Sequence, residues 1–595
     1  MTTVGNSHVF RTILIFIIVF FVSFQVQAQS SGETYIRGEL AKDTTWAGTV
    51  VLEETVTVPA GIVLNIKPGT IVSMMDSVSL IVYGQLIADG NEAEPIRFTH
   101  NADNMTWKQI MFIEAEDSRF TYCTFEYADC EGAHQDYYEP GPRNYHEAIV
   151  VLATALDFEG CTFQNLPDGG SRAEGDAMAI ISDDPNHPGE ASANIRNCRF
   201  LSIGQGVHTR FSFVLVEDCF FTGKRGDNDD VDLWGESVPS PLIRNNLFLY
   251  PEHDDMINPT RCSAVITGNV IMGSDDHGIV LRDRGFPVVM NNLIVDCRNG
   301  GIAIENSCDA LLVNNTIVDC GRGLRLFDLG RWGPPYRLNP GGGTAIVINC
   351  IIWDCPRPVT LADSSNTEIE DTGSHITISY SVIPGGQDGV IISGTSSTLT
   401  WGQGNIDIDP QLADPANDDY HLKSQAGRFD PNTESWVMDD VTSPCIDAGD
   451  PNTSPGAEPF PNGGIINMGA YGGRSQASKS YFDESLVVDV NDSDNGGEKA
   501  LEQGRILIIT LESNPTTGYS WEVVEDPNLI LEQIGKAEFK PVEQSNPPIV
   551  GAGGWEVFRF KAVSPGRQTL ELVYRRPWET DAEPAKTFSI DVIVN

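Results

Sequence analysis

Asn291-Asn292-Leu293-Ile294-Val295-Asp296-Cys297 returns 23 residues further on as Asn314-Asn315-Thr316-Ile317-Val318-Asp319-Cys320. The core of this pattern, a small residue ahead of a bulky pair, is also found at Cys198, Cys219, Asn246, Asn269 and Cys350, with earlier copies at Cys123 and Cys161. From Cys198 onward the successive gaps are 21, 27, 23, 23, 23 and 35 residues. The runs between turns are short and β-rich, with no helical periodicity. A unit this short cannot bury its own face, so the units must stack as a solenoid of strands.

Stacking places equivalent residues about 4.8 Å apart on neighbouring coils. The repeated Asn side chains then form an inward ladder, each amide bonding backbone or the next amide. Cys297, Cys320 and Cys355 form a second ladder. Stacked buried thiols fit that spacing, and so do disulfides. The repeat resembles right-handed parallel β-helix proteins, over residues 33–473. Alternation through 49–99 resembles their first coils. SPCIDAGDP (443–451) and INMGAYGG (466–473) resemble the closing stretch of secreted bacterial members. The Gly- and Pro-rich insert at 330–343 should bulge from the shaft.

Asp229-Asp230, Asp254-Asp255 and Asp275-Asp276 each precede the same strand of the repeat, with Asp232, His253, His277, Arg282 and Arg284 nearby. Three stacked turns would align six carboxylates in one row. Such a row repels itself unless solvated or bridged by a cation. Asp230, Asp255 and Asp276 are therefore candidate ligands for Ca²⁺, a hard cation that takes oxygen donors. Asp is also a favoured turn residue, which accounts for the pairs without any ion. Polysaccharide lyases on the β-helix fold resemble this arrangement, which implies an extracellular polysaccharide as a second candidate partner.

The chain holds 83 acidic and 38 basic residues, a net charge of −45. That balance argues against nucleic acid, whose phosphates need a basic face. Arg11, the apolar run 13–24 and Val26-Gln27-Ala28 read as a signal peptide, residues 1–28. The run is shorter than the roughly 20 residues a membrane span needs. The mature chain is expected to be secreted, extracellular or periplasmic, and free of the membrane.

A polar linker, 474–485, precedes a change of style over 486–595. Alternating runs at 486–490, 505–511, 519–524, 555–562, 568–574 and 587–594 are separated by turn signals. No Cys follows Cys445, so this unit must hold by its core alone. Its size and spacing suit an immunoglobulin-like β-sandwich. The expected architecture is all-β throughout, a right-handed parallel β-helix followed by that sandwich.

Three loops punctuate the sandwich: Asn514-Pro515-Thr516-Thr517-Gly518-Tyr519, Gly551-Ala552-Gly553-Gly554 and Arg576-Pro577-Trp578. In this order and spacing they resemble the chagasin family, inhibitors of papain-type cysteine proteases. The resemblance covers the whole of 486–595. It implies a papain-like protease as partner, bound reversibly through these three loops, with no catalytic residue and no required cofactor. The physics suits that role. Pro515 and Gly518 fix a tight turn that can enter a narrow cleft. Trp578, stiffened by Pro577, offers a flat anchor of the kind that dominates interfaces. The Gly-rich loop lets backbone approach the enzyme closely. Two other readings compete: a β-helix lyase or hydrolase with an accessory inhibitor domain, and an adhesin-like stalk.

Overall fold

A computed structural model describes residues 32–100, 106–128, 145–166, 176–182, 184, 187, 189–222, 229–249, 255–328, 341–363, 373–481, 484–524, 530–534, 537–541, 553–579 and 583–595. The expected signal peptide, Cys130, His253, Asp254, Gly551, Ala552 and most of the 330–343 insert lie outside these residues. The first unit is a right-handed parallel β-helix. Its strands form one parallel array of 25 and a second of 14. One coil runs through Val265–Thr267, Val270–Met272 and His277–Arg282; the next runs through Val288–Met290, Leu293–Val295 and Gly300–Glu305. In register, Val265 pairs with Val288, Val270 with Leu293 and Ile279 with Ile302.

Each letter of the repeat has a structural reason. The first Asn of the pair turns the chain through the left-handed region: φ is 54° at Asn291 and 52° at Asn314. Asn tolerates that region better than other side chains do. The second Asn faces inward. Nδ2 of Asn246 donates to Oδ1 of Asn269 at 2.9 Å, Asn269 to Asn292 at 2.9 Å and Asn292 to Asn315 at 3.0 Å. The same amides donate to carbonyls of neighbouring coils, so a buried polar column is satisfied along its length. Asp296 and Asp319 take the next left-handed corner, at φ 53° and 54°.

Beside this column the apolar core is equally repetitive. Phe98, Phe125, Phe163, Phe200, Phe221 and Phe248 stack ring on ring, with centroids 4.5–5.1 Å apart. The eleven cysteines among the described residues are buried free thiols. The stretch 466–473 runs back along the outside of the shaft, held by the turn asparagines. Asn291 Nδ2 donates to the carbonyls of Ala470 (3.0 Å) and Gly472 (2.7 Å), and Asn314 Nδ2 to that of Asn467 (2.8 Å).

The second unit is a sandwich of a five-stranded and a four-stranded sheet. Ile506–Ser513 and Gly554–Ala562 pair at the centre of the first. Gly566–Arg575 and Lys586–Val594 pair at the centre of the second. Leu507, Ile509, Leu511, Phe558, Phe560, Leu572, Phe588 and Val592 interdigitate between them. Gly497–Leu501, Leu531–Gln533 and Glu538–Pro541 are further strands that the alternation did not reveal.

Candidate functional site

The first loop leaves the five-stranded sheet at Ser513, makes one 3₁₀ turn over Pro515–Thr517 and enters the four-stranded sheet at Ser520. The turn is closed from within. Thr516 Oγ1 donates to Asn514 Oδ1 and Thr517 Oγ1 to the Asn514 carbonyl, both at 2.6 Å. The two Thr side chains are exposed while their hydroxyls are engaged, so the tip is fixed before any partner arrives.

Gly518 ends the turn at φ 80°. A Cβ there would lie 2.7 Å from Trp578 Cη2, so the indole of the third loop rests against the first loop where only glycine fits. Trp578 is still 68% exposed. The Arg576 guanidinium lies 4.8 Å from the centroid of the Tyr519 ring, a second tie between these loops. The second loop closes the group: a Cβ on Gly553 would be 3.2 Å from the Ser513 carbonyl and 3.7 Å from Asn514 Cβ. The described parts of all three motifs therefore meet at one end of the sandwich.

Glu556 holds that end together. It is buried, and its carboxylate accepts from the Ser513 hydroxyl on one side of the first loop and from the Trp521 N–H (3.0 Å) on the other. Tyr574 helps, its hydroxyl accepting from the Asn514 N–H at 2.9 Å. Neither residue was a candidate from the motifs. The signal for Glu556 was present: it occupies the inward phase of Gly554, Phe558 and Phe560, where a carboxylate is out of place.

On the shaft, the expected row of carboxylates is broken. Val231 pairs with Ile257 and Ile257 with Ile279. Counting back two residues puts Asp229, Asp255 and His277 at one level, so Asp275-Asp276 arrives early. The turn before its strand is shorter than the one before Ile257–Thr260. His277 Nδ1 instead lies 3.2 Å from Asp255 Oδ1 and 2.8 Å from Asp276 Oδ1. The two carboxylates push the imidazole up to about 9 against the opposing effect of burial, so it carries a proton at neutral pH. Asp255, Asp276 and His277 are close enough to share one ion; Asp230 is not among them. Asp230 is buried, and its carbonyl accepts from the Val207 N–H at 2.9 Å.

A compact sandwich that presents three mutually braced loops and a bare indole at one end has the build of a cleft-binding protein inhibitor. Residues 500–592 match the chagasin family of peptidase inhibitors (I42), and the chain belongs to that family. It is 32% identical to amoebiasin-1 of Entamoeba histolytica over 107 residues, 18% of this chain and 99% of that protein. It is 29% identical to chagasin of Trypanosoma cruzi over 110 residues, 18% of this chain and 96% of that one. The solved structure of the cysteine protease inhibitor EhICP2 from Entamoeba histolytica aligns at 24% identity and TM-score 0.17, covering 18% of this chain and 96% of its own. Residues 186–331 match a right-handed β-helix region and 289–449 a disaggregatase-related family.

Proposed function

We propose that the mature chain is an exported, reversible inhibitor of papain-type cysteine proteases. Its three sandwich loops fill the catalytic cleft, and the β-helix carries them outside the cytoplasm. The observation that carries this reading is the convergence of the first and third loops, with Gly518 against Trp578. The turn tip supplies a wedge without a strained, well-aligned scissile bond, and Trp578 supplies a largely exposed anchor that the neighbouring loop holds in place. No atom of the inhibitor needs to react, so binding should leave no covalent adduct. The test is inhibition of papain and of trypsin by the chain from residue 29 onward, with Thr517→Arg as the variant. Papain should be inhibited and trypsin untouched, and the bulky charged tip should weaken papain binding at least about 30-fold. Equal inhibition by the variant would remove the first loop from the interface.

A calcium ion held by Asp255 and Asp276 is a second proposal, supported by the approach of the two carboxylates to one point. The ion would have to replace His277 as their counter-charge. Calcium should then raise the melting temperature of the shaft, and Asp255→Ala with Asp276→Ala should abolish the rise. Identical melting with calcium and with chelator would leave His277 and the nearby arginines as the counter-charges of the two carboxylates.

A further inference from the structure

One basic cluster on the shaft of this strongly acidic chain makes no direct ion pair among the described residues, although Glu305 and Asp276 attract Arg325 from a distance. Arg322 and Arg357 occupy the same corner on consecutive coils, just ahead of Leu324–Phe327 and Val359–Ala362. Arg325 sits on the first of these strands. It alternates with the core residues Leu324 and Leu326, and so faces outward. Among the described residues, none of the three guanidinium groups reaches a carboxylate within ion-pair distance. Arg322 donates only to the Asn299 carbonyl, at 3.3 Å. The Arg325 guanidinium carbon lies over the Phe327 ring, 3.6 Å from its centroid, and among the described residues its side-chain N–H groups make no hydrogen bond.

The neighbouring carboxylates are already committed. Asp276 Oδ1 takes His277 at 2.8 Å and Asn299 Nδ2 at 2.5 Å, and Glu305 takes Arg282 Nε at 2.9 Å. Partial burial and then the adjacent guanidinium disfavour the charged forms of both Arg322 and Arg325, and at Arg325 the attraction of Glu305 and Asp276 only partly offsets this. A solvated basic face would not hold its charges in mutual opposition when acidic residues outnumber basic ones 83 to 38. Guanidinium forks in this arrangement match the oxygens of a carboxylate, sulfate or phosphate.

We infer that Arg322, Arg325 and Arg357 form an oxyanion-binding site on the outward face of the β-helix. The bound group supplies the direct ion-pair partner that the neighbouring carboxylates, engaged by His277, Asn299 and Arg282, do not. It is independent of the inhibitor loops and needs no metal. The oxyanion is either a free small ion or a group on an acidic polymer.

The test uses the chain from residue 29 onward, titrated with sodium sulfate and separately with trigalacturonate, each against sodium chloride at matched ionic strength. Sulfate or the oligomer should raise the melting temperature saturably. Arg325→Gln should weaken binding at least tenfold. In the absence of the anion, Arg325→Gln should melt at or above the wild type, because it relieves repulsion; a merely structural arginine would do the reverse. Arg357→Gln, on an exposed side chain, is the second variant should Arg325→Gln fail to fold. A tenfold preference for trigalacturonate over sulfate identifies a polymer-borne group, and equal or better binding of sulfate identifies a free ion. No saturable effect beyond chloride, or unchanged binding in both variants, would overturn the site.

Discussion

Asn292 sits in the shaft between identical neighbours, whereas Glu556 in the sandwich has no counterpart. Both are buried polar groups that tie chain segments together: Asn292 accepts from Asn269 and donates to Asn315, whereas Glu556 accepts from Ser513 and from Trp521. The shaft spreads its polar load over a column of neutral amides, repeated coil after coil. The sandwich concentrates it in one carboxylate under one loop. Repetition gives a rigid column that no single coil defines. Concentration gives a unique end with a defined shape, which is what recognition of one cleft requires. Glu458, in the closing segment of the shaft, tests this contrast: it is one of several buried carboxylates of that unit, and it accepts from the Asn467 and Gly473 N–H groups at 2.8 Å each.

Glu458 gives the largest expected effect. Burial pushes the Glu458 carboxyl up to about 8 from its ordinary 4.5. Its contribution to folding is full below pH 4.5 and is lost as pH rises through about 8. Melting of the shaft followed by circular dichroism between pH 5 and 9 should fall, by up to about 4 kcal/mol in stability. Glu458→Gln, which keeps the acceptor and removes the charge, should flatten the dependence. If the variant shows the same slope as the wild type, the pH dependence lies elsewhere.

Breaking the column is the next test. Asn292→Leu strands the Asn269 amide and its N–H, along with the Ile266 carbonyl. At roughly 1–3 kcal/mol per orphaned group, the shaft should lose about 3 kcal/mol in denaturant titration. Protease inhibition should stay as it was, because the column ends far from the loops in sequence and in chain unit. A parallel loss of inhibition would mean that the two units do not act separately.

The smallest effect sharpens the sandwich side. Glu556→Gln retains one acceptor for the Trp521 N–H and gives the Ser513 hydroxyl a weaker partner. It should cost about 1 kcal/mol in binding to papain, about five-fold in the inhibition constant, with the sandwich still folded. Glu556→Leu should cost more. Unchanged inhibition in both would show that the first loop is braced without this clamp.

Most of the shaft was legible because a period of 23 residues repeats its reasons. One Asn turns the corner, the next joins the column, and Cys, Phe or Ile fills the core. The row of aspartates misled because register depends on turn length. The step between paired positions is one residue shorter from Met272 to Ile279 than from Leu249 to Ile257, which replaced a carboxylate with an imidazole at that level. In the sandwich, the long central strands alternate cleanly and were readable. Gly497–Leu501 carries two charges and a single buried residue, and Leu531–Gln533 is three residues long, so neither shows a period. The loops were legible as motifs. What braces them, Glu556 and Tyr574, comes from strands distant in sequence and needed the fold to be seen.

The most direct measurement is titration of papain with the folded chain from residue 29 onward, beside Trp578→Ala. The wild type should inhibit reversibly at or below micromolar concentration. Removing the exposed indole should weaken inhibition by about 2–4 kcal/mol, or roughly 30- to 1000-fold, with both units still folded by circular dichroism. A folded wild type that leaves papain fully active at micromolar concentration, or a Trp578→Ala chain that inhibits equally well, would contradict the claim that these three loops form the protease-binding surface.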